Sequence, residues 1–354
     1  VEYILAKYSA EPTEVPIYGE EWLDETGQTL EEIRKKNPAL QTYRKGPGEK
    51  IPDWGLLEHS LYGIDVSRQM MRITMMNLVL HGIRNASVKR ANALSDMGGL
   101  TEDDLSRKYK VILSNPPFAG QLPQESIRKD LPTKSKKSEL LFLGVMMEAL
   151  APGGRAAVVV PEGLLFGSTK AHIELRRKLV DDYKLQAVVS LPAGVFKPYA
   201  GVKTAVIVFQ RPMAESKNNS GTDNDEKIWF YNVTIDGYDP DKIEGGARPE
   251  RPESNDIPDL LKQWEEFKKS NFKKPPGTQT GAVLEPGSEQ PRCWWTTAAD
   301  VRENDYNLAA TRYKPQVAEK PPEEDPEELI EETLTKEREI VDGLEKLLKK
   351  VRES

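Results

Sequence analysis

The sequence contains one cysteine, Cys293, which excludes a disulfide framework and any multi-cysteine metal site. Its three histidines, His59, His81 and His172, stand far apart and argue against a histidine-ligated centre, so no metal is expected. No apolar run approaches the ~18 residues that a membrane span needs. The chain carries no secretory signal pattern, and a reducing, cytoplasmic setting is expected with no membrane contact. Positive charge is also short: 50 Lys+Arg face 57 Asp+Glu, a formal net charge of -7. Such a chain does not hold a polyanion by its overall field, so a nucleic-acid substrate would need local basic patches or a partner. What remains is a globular composition, 38% hydrophobic and 30% charged over 354 residues, with 25 Gly and 26 Pro marking irregular segments. That length accommodates two or three domains.

The chain begins inside a helical pattern, Val1 to Tyr8, with no capping residue before it, and this reads as a fragment. Residues 11–51 are polar and weakly patterned. Alternating elements follow: a strand from Ser60 to Asp65, a helix from about Ser67 stopped by Gly82, and a short strand near Ala86 to Lys89. Then come a buried strand Tyr109 to Ser114, a helix from about Glu139 to Leu150, a strand Ala156 to Val160 and a helix Ala171 to Tyr183. Strands Leu185 to Ser190 and Thr204 to Phe209 complete the series. Strands alternating with helices of roughly 10–15 residues predict βαβ units around a mainly parallel sheet. Beyond Arg211 the sequence predicts an irregular region over 212–320 with linkers, an isolated strand Ile228 to Val233 and a helix near Leu260 to Phe267. A charged helix in 321–354 ends the chain. Its residues Ile330, Leu334, Val341, Leu344, Leu348 and Val351 form one a/d seam, broken by Glu337, that wants a partner helix. A helix folded back on its own domain satisfies the same pattern.

Asn115-Pro-Pro-Phe118 directly after a buried strand is the strongest chemical signal. In an open α/β sheet the carboxyl end of such a strand borders the ligand crevice. Two prolines fix two φ angles and remove two backbone donors, leaving carbonyls of the turn as acceptors beside the Asn115 amide oxygen. Paired acceptors suit a planar nitrogen with two hydrogens, an exocyclic base amine. Accepting both hydrogens frees the lone pair for an electrophilic methyl without a prior general base. Phe118 supplies a face on which a flipped-out base stacks. The plain alternative is a rigid strand-to-loop turn. Asp65, at the end of its strand, is placed to accept from ribose hydroxyls, although acidic residues also cap the helix after a strand. Asn92, in the turn after the next strand, is placed to read an adenine amine or ring nitrogen. Nothing upstream supplies the Gly-rich turn that a nucleotide cofactor needs after a first strand; Gly46-Pro-Gly48 follows no strand and opens no helix.

These segments resemble the modification (methyltransferase) subunit of type I restriction–modification systems, the N-6 adenine DNA methylases. The resemblance is carried by Leu61–Val66 with Met75–Ile83, by Asn92–Leu94 and by Ser114–Phe118. Longer matching segments are Leu150–Gly167, Leu191–Tyr199 and Tyr306–Lys314. It implies a Rossmann-like, S-adenosylmethionine-dependent methyltransferase sheet, here without its first strand and Gly-rich loop, plus a C-terminal helical extension. It implies a catalytic domain over 1–211 with Asn115, Pro116, Pro117 and Phe118 as catalytic residues. Asp65, Val66, Asn92, Ala93 and Asn115 are the implied cofactor contacts. The missing strand belongs between those ending at Asp65 and Ser114, so the chain alone is expected to bind cofactor poorly and to be inactive. The implied partners are double-stranded DNA with a flipped adenine, a specificity subunit docked on the 321–354 helix, and a restriction subunit. Arg128, Lys129, Lys134, Lys136 and Lys137 follow the tetrapeptide and are candidate phosphate contacts, or a solvated loop. Two other enzyme readings use similar tetrapeptides, methylation of a guanine amine in ribosomal RNA and of a glutamine amide in protein. Ala119 after Phe118, where the RNA enzymes often have His, and Phe118 itself, where the glutamine enzymes usually have Tyr, disfavour both. A non-enzymatic scaffold subunit that has lost its loop is the remaining alternative.

Overall fold

The run Tyr62-Gly-Ile-Asp65 forms strand β1, and Ser87–Arg90 forms β2 parallel to it, paired from Tyr62 with Ser87 to Asp65 with Arg90. A computed structural model of the chain describes residues 9–10, 51–52, 60–95, 98–118, 120–131, 133–198, 200–213, 226–318 and 326–353. The expected features at Val1–Tyr8, across residues 11–50 and in the linker at 214–225 lie outside the described residues. Two compact units result, residues 1–112 with 116–151, and residues 113–115 with 152–354.

In the first unit, α1 (Arg68–Leu80) makes the crossover between β1 and β2 that parallel pairing requires. The Ser67 hydroxyl caps it by accepting from the Met70 N–H, and Gly82 at φ 83° ends it in the left-handed region that glycine tolerates. None of the helix residues is buried; Ile73 is 49% and Met76 65% exposed. A short helix, Glu102–Ser106, opens with a reciprocal capping box of Thr101 and Asp104. Lys89 from β2 also reaches Asp104, and these bonds hold its carboxyl down at about 2. Strand β3 (Tyr109–Ser114) follows, and then α2 (Ser138–Ala149), whose Leu140, Leu141, Leu143, Met146 and Met147 are buried. Leu94, Ile127 and Leu141 pack as one cluster, which seats the loop after β3 on the loop after β2.

The second unit is built on a sheet with β4 (Leu150–Pro161), β5 (Lys184–Ser190), β6 (Thr204–Gln210) and β7 (Lys227–Asn232) at its centre. Helix α3 (Lys170–Asp181) links β4 to β5. Further along, β8 (Asp236–Tyr238) and β9 (Glu250–Asn255) form an antiparallel hairpin, followed by α4 (Ile257–Lys269). Strands β10 (Thr278–Gln279) and β11 (Cys293–Thr297) complete the sheet in the order β10-β11-β7-β5-β6-β4-β3. Of β3 this unit holds only the last two residues. β7 lies parallel to β5, whereas β6 runs antiparallel to both β4 and β5. The reversal has a local cause. Among the described residues the segment from Leu191 to Lys203 holds no helix to carry the chain back across the sheet, and the strand returns beside its predecessor. Among the described residues β1 pairs only with β2, and β3 closes one edge of its sheet, so the two have no strand in common.

One expectation needs correction. The region 212–320 is not an irregular appendage: β7 sits inside the sheet between β5 and β11, with Ile228, Trp229, Phe230 and Tyr231 at most 1% exposed. Phe230 stacks between Trp294 and Tyr313, while Trp229 packs with Trp264 and Phe267 of α4. Aromatics that bury this much area dominate a core wherever they fall in sequence. Here short strands separated by Pro- and Gly-rich turns hide the periodicity. Helix α5 (Pro326–Glu353) ends the chain, and every residue from Ile330 to Lys349 is exposed.

Candidate active site

Parallel pairing of β1 and β2 brings Asp65 and Asn92 to the same edge, because Asp65 is level with Arg90 and the Ala91 N–H donates to the Asp65 carbonyl at 3.1 Å. The half-buried Asp65 carboxylate accepts from the Ser67 N–H through one oxygen at 2.6 Å. It thereby fixes the start of α1; among the described residues its second oxygen has no partner. Val66, 60% exposed, offers its carbonyl to Arg90 Nε at 3.2 Å. The Asn92 Oδ1 accepts from the Leu94 N–H at 3.0 Å, which orients the amide so that its NH2 is the end left to donate. A donor there suits a ring nitrogen better than an exocyclic amine. The loop is tight: the Asn92 N–H donates to the Gly98 carbonyl at 2.7 Å, and a Cβ on Gly98 would stand 2.0 Å from the Asn92 carbonyl. Only glycine fits there.

The division into units falls within the tetrapeptide. Asn115 belongs with the last two residues of β3 and is exposed, whereas Pro116, Pro117 and Phe118 begin the loop of the first unit, buried, exposed and half-buried in turn. Among the described residues neither the Asn115 side chain nor the Pro116 carbonyl has a hydrogen-bond partner. The Pro117 carbonyl accepts from the Ser138 hydroxyl at a long 3.4 Å, and the same hydroxyl accepts from the Gly120 N–H at 3.1 Å. Ser138, 4% exposed at the first turn of α2, was not marked by any sequence pattern, yet it ties both ends of the turn. Backbone bonds from Leu122 to Lys136 and from Ser138 to Gly120 close the base of the basic loop.

The five basic candidates separate. Arg128 turns inward: its guanidinium donates to the Ala93 carbonyl at 3.0 Å and pairs with Asp130, and its side chain is 10% exposed. Its backbone N–H meets the Leu94 carbonyl at 2.9 Å, so Arg128 fastens the loop to the Asn92 turn. That leaves Lys129, Lys134, Lys136 and Lys137, all exposed, as the candidate phosphate contacts, beside the exposed acids Glu125 and Asp130 of the same loop.

Strand ends that bear an acidic residue, an amide and the Asn-Pro-Pro-Phe turn are the features by which a family can be tested. Residues 51–322 match the model of a family described as N-6 DNA Methylase. The chain belongs to that family. It is similar to the type I restriction enzyme EcoEI methylase subunit of Escherichia coli, 31% identical over 182 residues, covering 51% of this chain and 34% of that protein. The EcoKI methylase subunit of Escherichia coli strain K12 is 31% identical over 179 residues, 50% of this chain and 33% of its own length. The chain thus spans about a third of the curated relatives it matches. Among solved structures, a chain from a type I restriction–modification system superposes with a TM-score of 0.55 at 28% identity, over 85% of this chain and 56% of that one. The crystal structure of the EcoKI M protein shares the fold, with a TM-score of 0.53 at 21% identity over 82% and 60% of the two chains. The family is described as one of DNA methylases, not of ribosomal RNA or protein glutamine methyltransferases.

Proposed function

We propose that this chain supplies the catalytic residues of an adenine-specific DNA methyltransferase of the type I restriction–modification kind. The observation that carries the reading is an acceptor pair without hydrogen-bond partners among the described residues, the Asn115 amide oxygen and the Pro116 carbonyl, held by a proline-stiffened turn at the end of β3. Their role is to accept both hydrogens of the adenine amine and turn its lone pair outward, while Phe118 stacks on the extruded base. Pre-set acceptors act without reorganising at the moment of reaction, which is where electrostatic catalysis gains most. When bound, S-adenosylmethionine supplies a methyl group made electrophilic by its sulfonium. The residues present fit the adenosine side of that molecule: the open oxygen of Asp65 suits ribose hydroxyls, and the Asn92 NH2 suits a ring nitrogen. Val66 follows Asp65 and Ala93 follows Asn92 in the chain, and both are proposed as further contacts to the cofactor. We further infer that this chain alone binds the cofactor weakly and is inactive, since it spans about a third of the methylase subunits it matches.

The four exposed lysines of the 119–137 loop are the proposed phosphate contacts, with Arg128 as the anchor that holds the loop in place. Sequence recognition is assigned to a specificity subunit, with a restriction subunit as the further partner. The test is methyl transfer to DNA by the full-length protein with its specificity subunit. Asn115→Ala is expected to reduce the rate by at least about a hundredfold, as loss of one oriented polar group commonly does. A rate within a few-fold of the parent would refute the role given to that amide.

A further inference from the structure

We propose that Lys197 and Arg248 are positioning residues for methyl transfer. They brace the segment from Leu191 to Lys203 against the β8–β9 hairpin, so that it forms a rigid wall of the crevice that receives the substrate adenine. The proposal rests on the reaction proposed above and adds to it two residues that stand far from Asn115 in sequence. The segment, the hairpin and Asn115 all belong to the second unit.

The segment leaves the end of β5 and enters the start of β6, where Thr204 is level with Pro161 at the end of β4. It therefore runs along the carboxyl edge of the sheet, the edge that borders the ligand crevice in open α/β folds. Its last residue is fixed on the side of β4, the strand next to β3 in the sheet. The Lys203 carbonyl accepts from the Glu162 N–H at 2.9 Å, and the Lys203 ammonium pairs with the Glu162 carboxylate at 2.9 Å. Its middle is fixed by reciprocal bonds with the hairpin. Arg248 donates to the Val195 carbonyl at 3.3 Å, and Lys197 Nζ donates to the Pro240 carbonyl at 3.0 Å.

The hairpin is built to hold still. Arg248, its side chain 7% exposed, uses all five of its N–H donors. Two go to the Asp236 carboxylate at 2.6 and 2.7 Å, and one each to the carbonyls of Val195, Asp239 and Tyr238. The buried Asp239 carboxylate accepts from the Asp241 and Lys242 N–H groups at 3.0 and 3.1 Å and pairs with Arg251. A fully satisfied polar network of this kind rigidifies what it touches. Between the two anchors the crest of the segment is open: a Cβ on Gly201 would meet nothing within 4 Å, and Val202 is 48% exposed. A small apolar crest on a braced segment suits the face of a planar base, and displacing such a support by about 1 Å commonly costs about a hundredfold in rate.

The experiment is single-turnover methyl transfer to DNA by the full-length protein with its specificity subunit, beside DNA affinity measured by fluorescence anisotropy. Lys197→Met removes a donor at the surface and keeps the stem, so the fold survives it. It should slow transfer about tenfold with DNA affinity unchanged. Lys197→Arg, which restores a donor, should recover most of the rate. Gly201→Val, which fills the crest without touching the brace, should slow transfer by about as much as Lys197→Met. Combining Lys197→Met with Arg248→Lys should be no slower than the worse single variant, because both act through one segment. Transfer at the parent rate by Lys197→Met and Gly201→Val overturns the proposal, and so does a loss of rate that follows a loss of DNA affinity. Asn115→Ala is run alongside. If it is inactive while Lys197→Met is normal, the positioning role alone falls; if it transfers normally, the reading of the site falls and this proposal with it.

Discussion

Replacing Arg176 by leucine tests the internal wiring of the second unit most severely. Arg176 is 2% exposed on α3, and its guanidinium donates to three carbonyls: Tyr306 at 2.7 Å, Leu164 at 3.0 Å and Gly167 at 2.8 Å. Burial depresses its pKa, and among the described residues no carboxylate pairs with it. The three acceptors come from the segment after β4 and from the stretch before the 3-10 turn Ala310–Arg312, so one side chain fastens two regions to α3. In Arg176→Leu all three carbonyls lose their donor. Each buried acceptor left open costs about 1–3 kcal/mol, offset in part by removing a desolvated charge, so a net loss of about 3–5 kcal/mol is expected. With a urea dependence of about 2 kcal/mol/M, the unfolding midpoint followed by tryptophan fluorescence should fall by about 2 M. Arg176→Lys should recover little, since a point charge cannot satisfy a fork of three acceptors. A leucine variant within about 1 kcal/mol of the parent would refute the assignment.

Asp256, 4% exposed, gives a pH-dependent test. Burial raises its pKa, but donation from the Thr234 hydroxyl and N–H, from the Ile235 N–H and the charge of Arg292 outweigh it, so the folded value lies below the unfolded one. Its stabilisation is therefore complete above the unfolded value of about 4 and is lost as the pH falls through the folded value. Unfolding free energies measured from pH 6 to 3 should fall less steeply in Asp256→Asn than in the parent; identical slopes would contradict the sign. Calorimetry should show S-adenosylmethionine binding this chain with a dissociation constant no tighter than about 1 mM, and micromolar binding would sink the inference that the chain alone holds the cofactor weakly.

Much of this molecule is legible in its sequence where a short apolar run is bounded by turn residues. Tyr109–Ser114, Leu185–Ser190 and Thr204–Phe209 are strands for that reason, and all are found. The hairpin of β8 and β9 was invisible, because Glu-Arg-Pro-Glu-Ser-Asn is almost wholly polar and its pairing depends on Arg248, which spans both carboxylate oxygens of Asp236 at 2.6 and 2.7 Å. Strand β11 was missed because five residues after Pro291 carry no period. In the candidate site, the places of Asn115 and Asp65 at strand ends are legible because each follows an apolar run and precedes a turn. Ser138 and the inward turn of Arg128 could not, since each depends on a contact made across 18 or more positions of chain.

The central claim is that Asn115 and Pro116 present an adenine amine for methylation. It is tested most directly by incubating full-length protein and its specificity subunit with S-adenosylmethionine and DNA, then digesting the DNA to nucleosides for mass spectrometry. The account predicts N6-methyladenine from the parent and almost none from Asn115→Ala. Methyl groups found on cytosine instead, or N6-methyladenine formed equally by the variant, would contradict it.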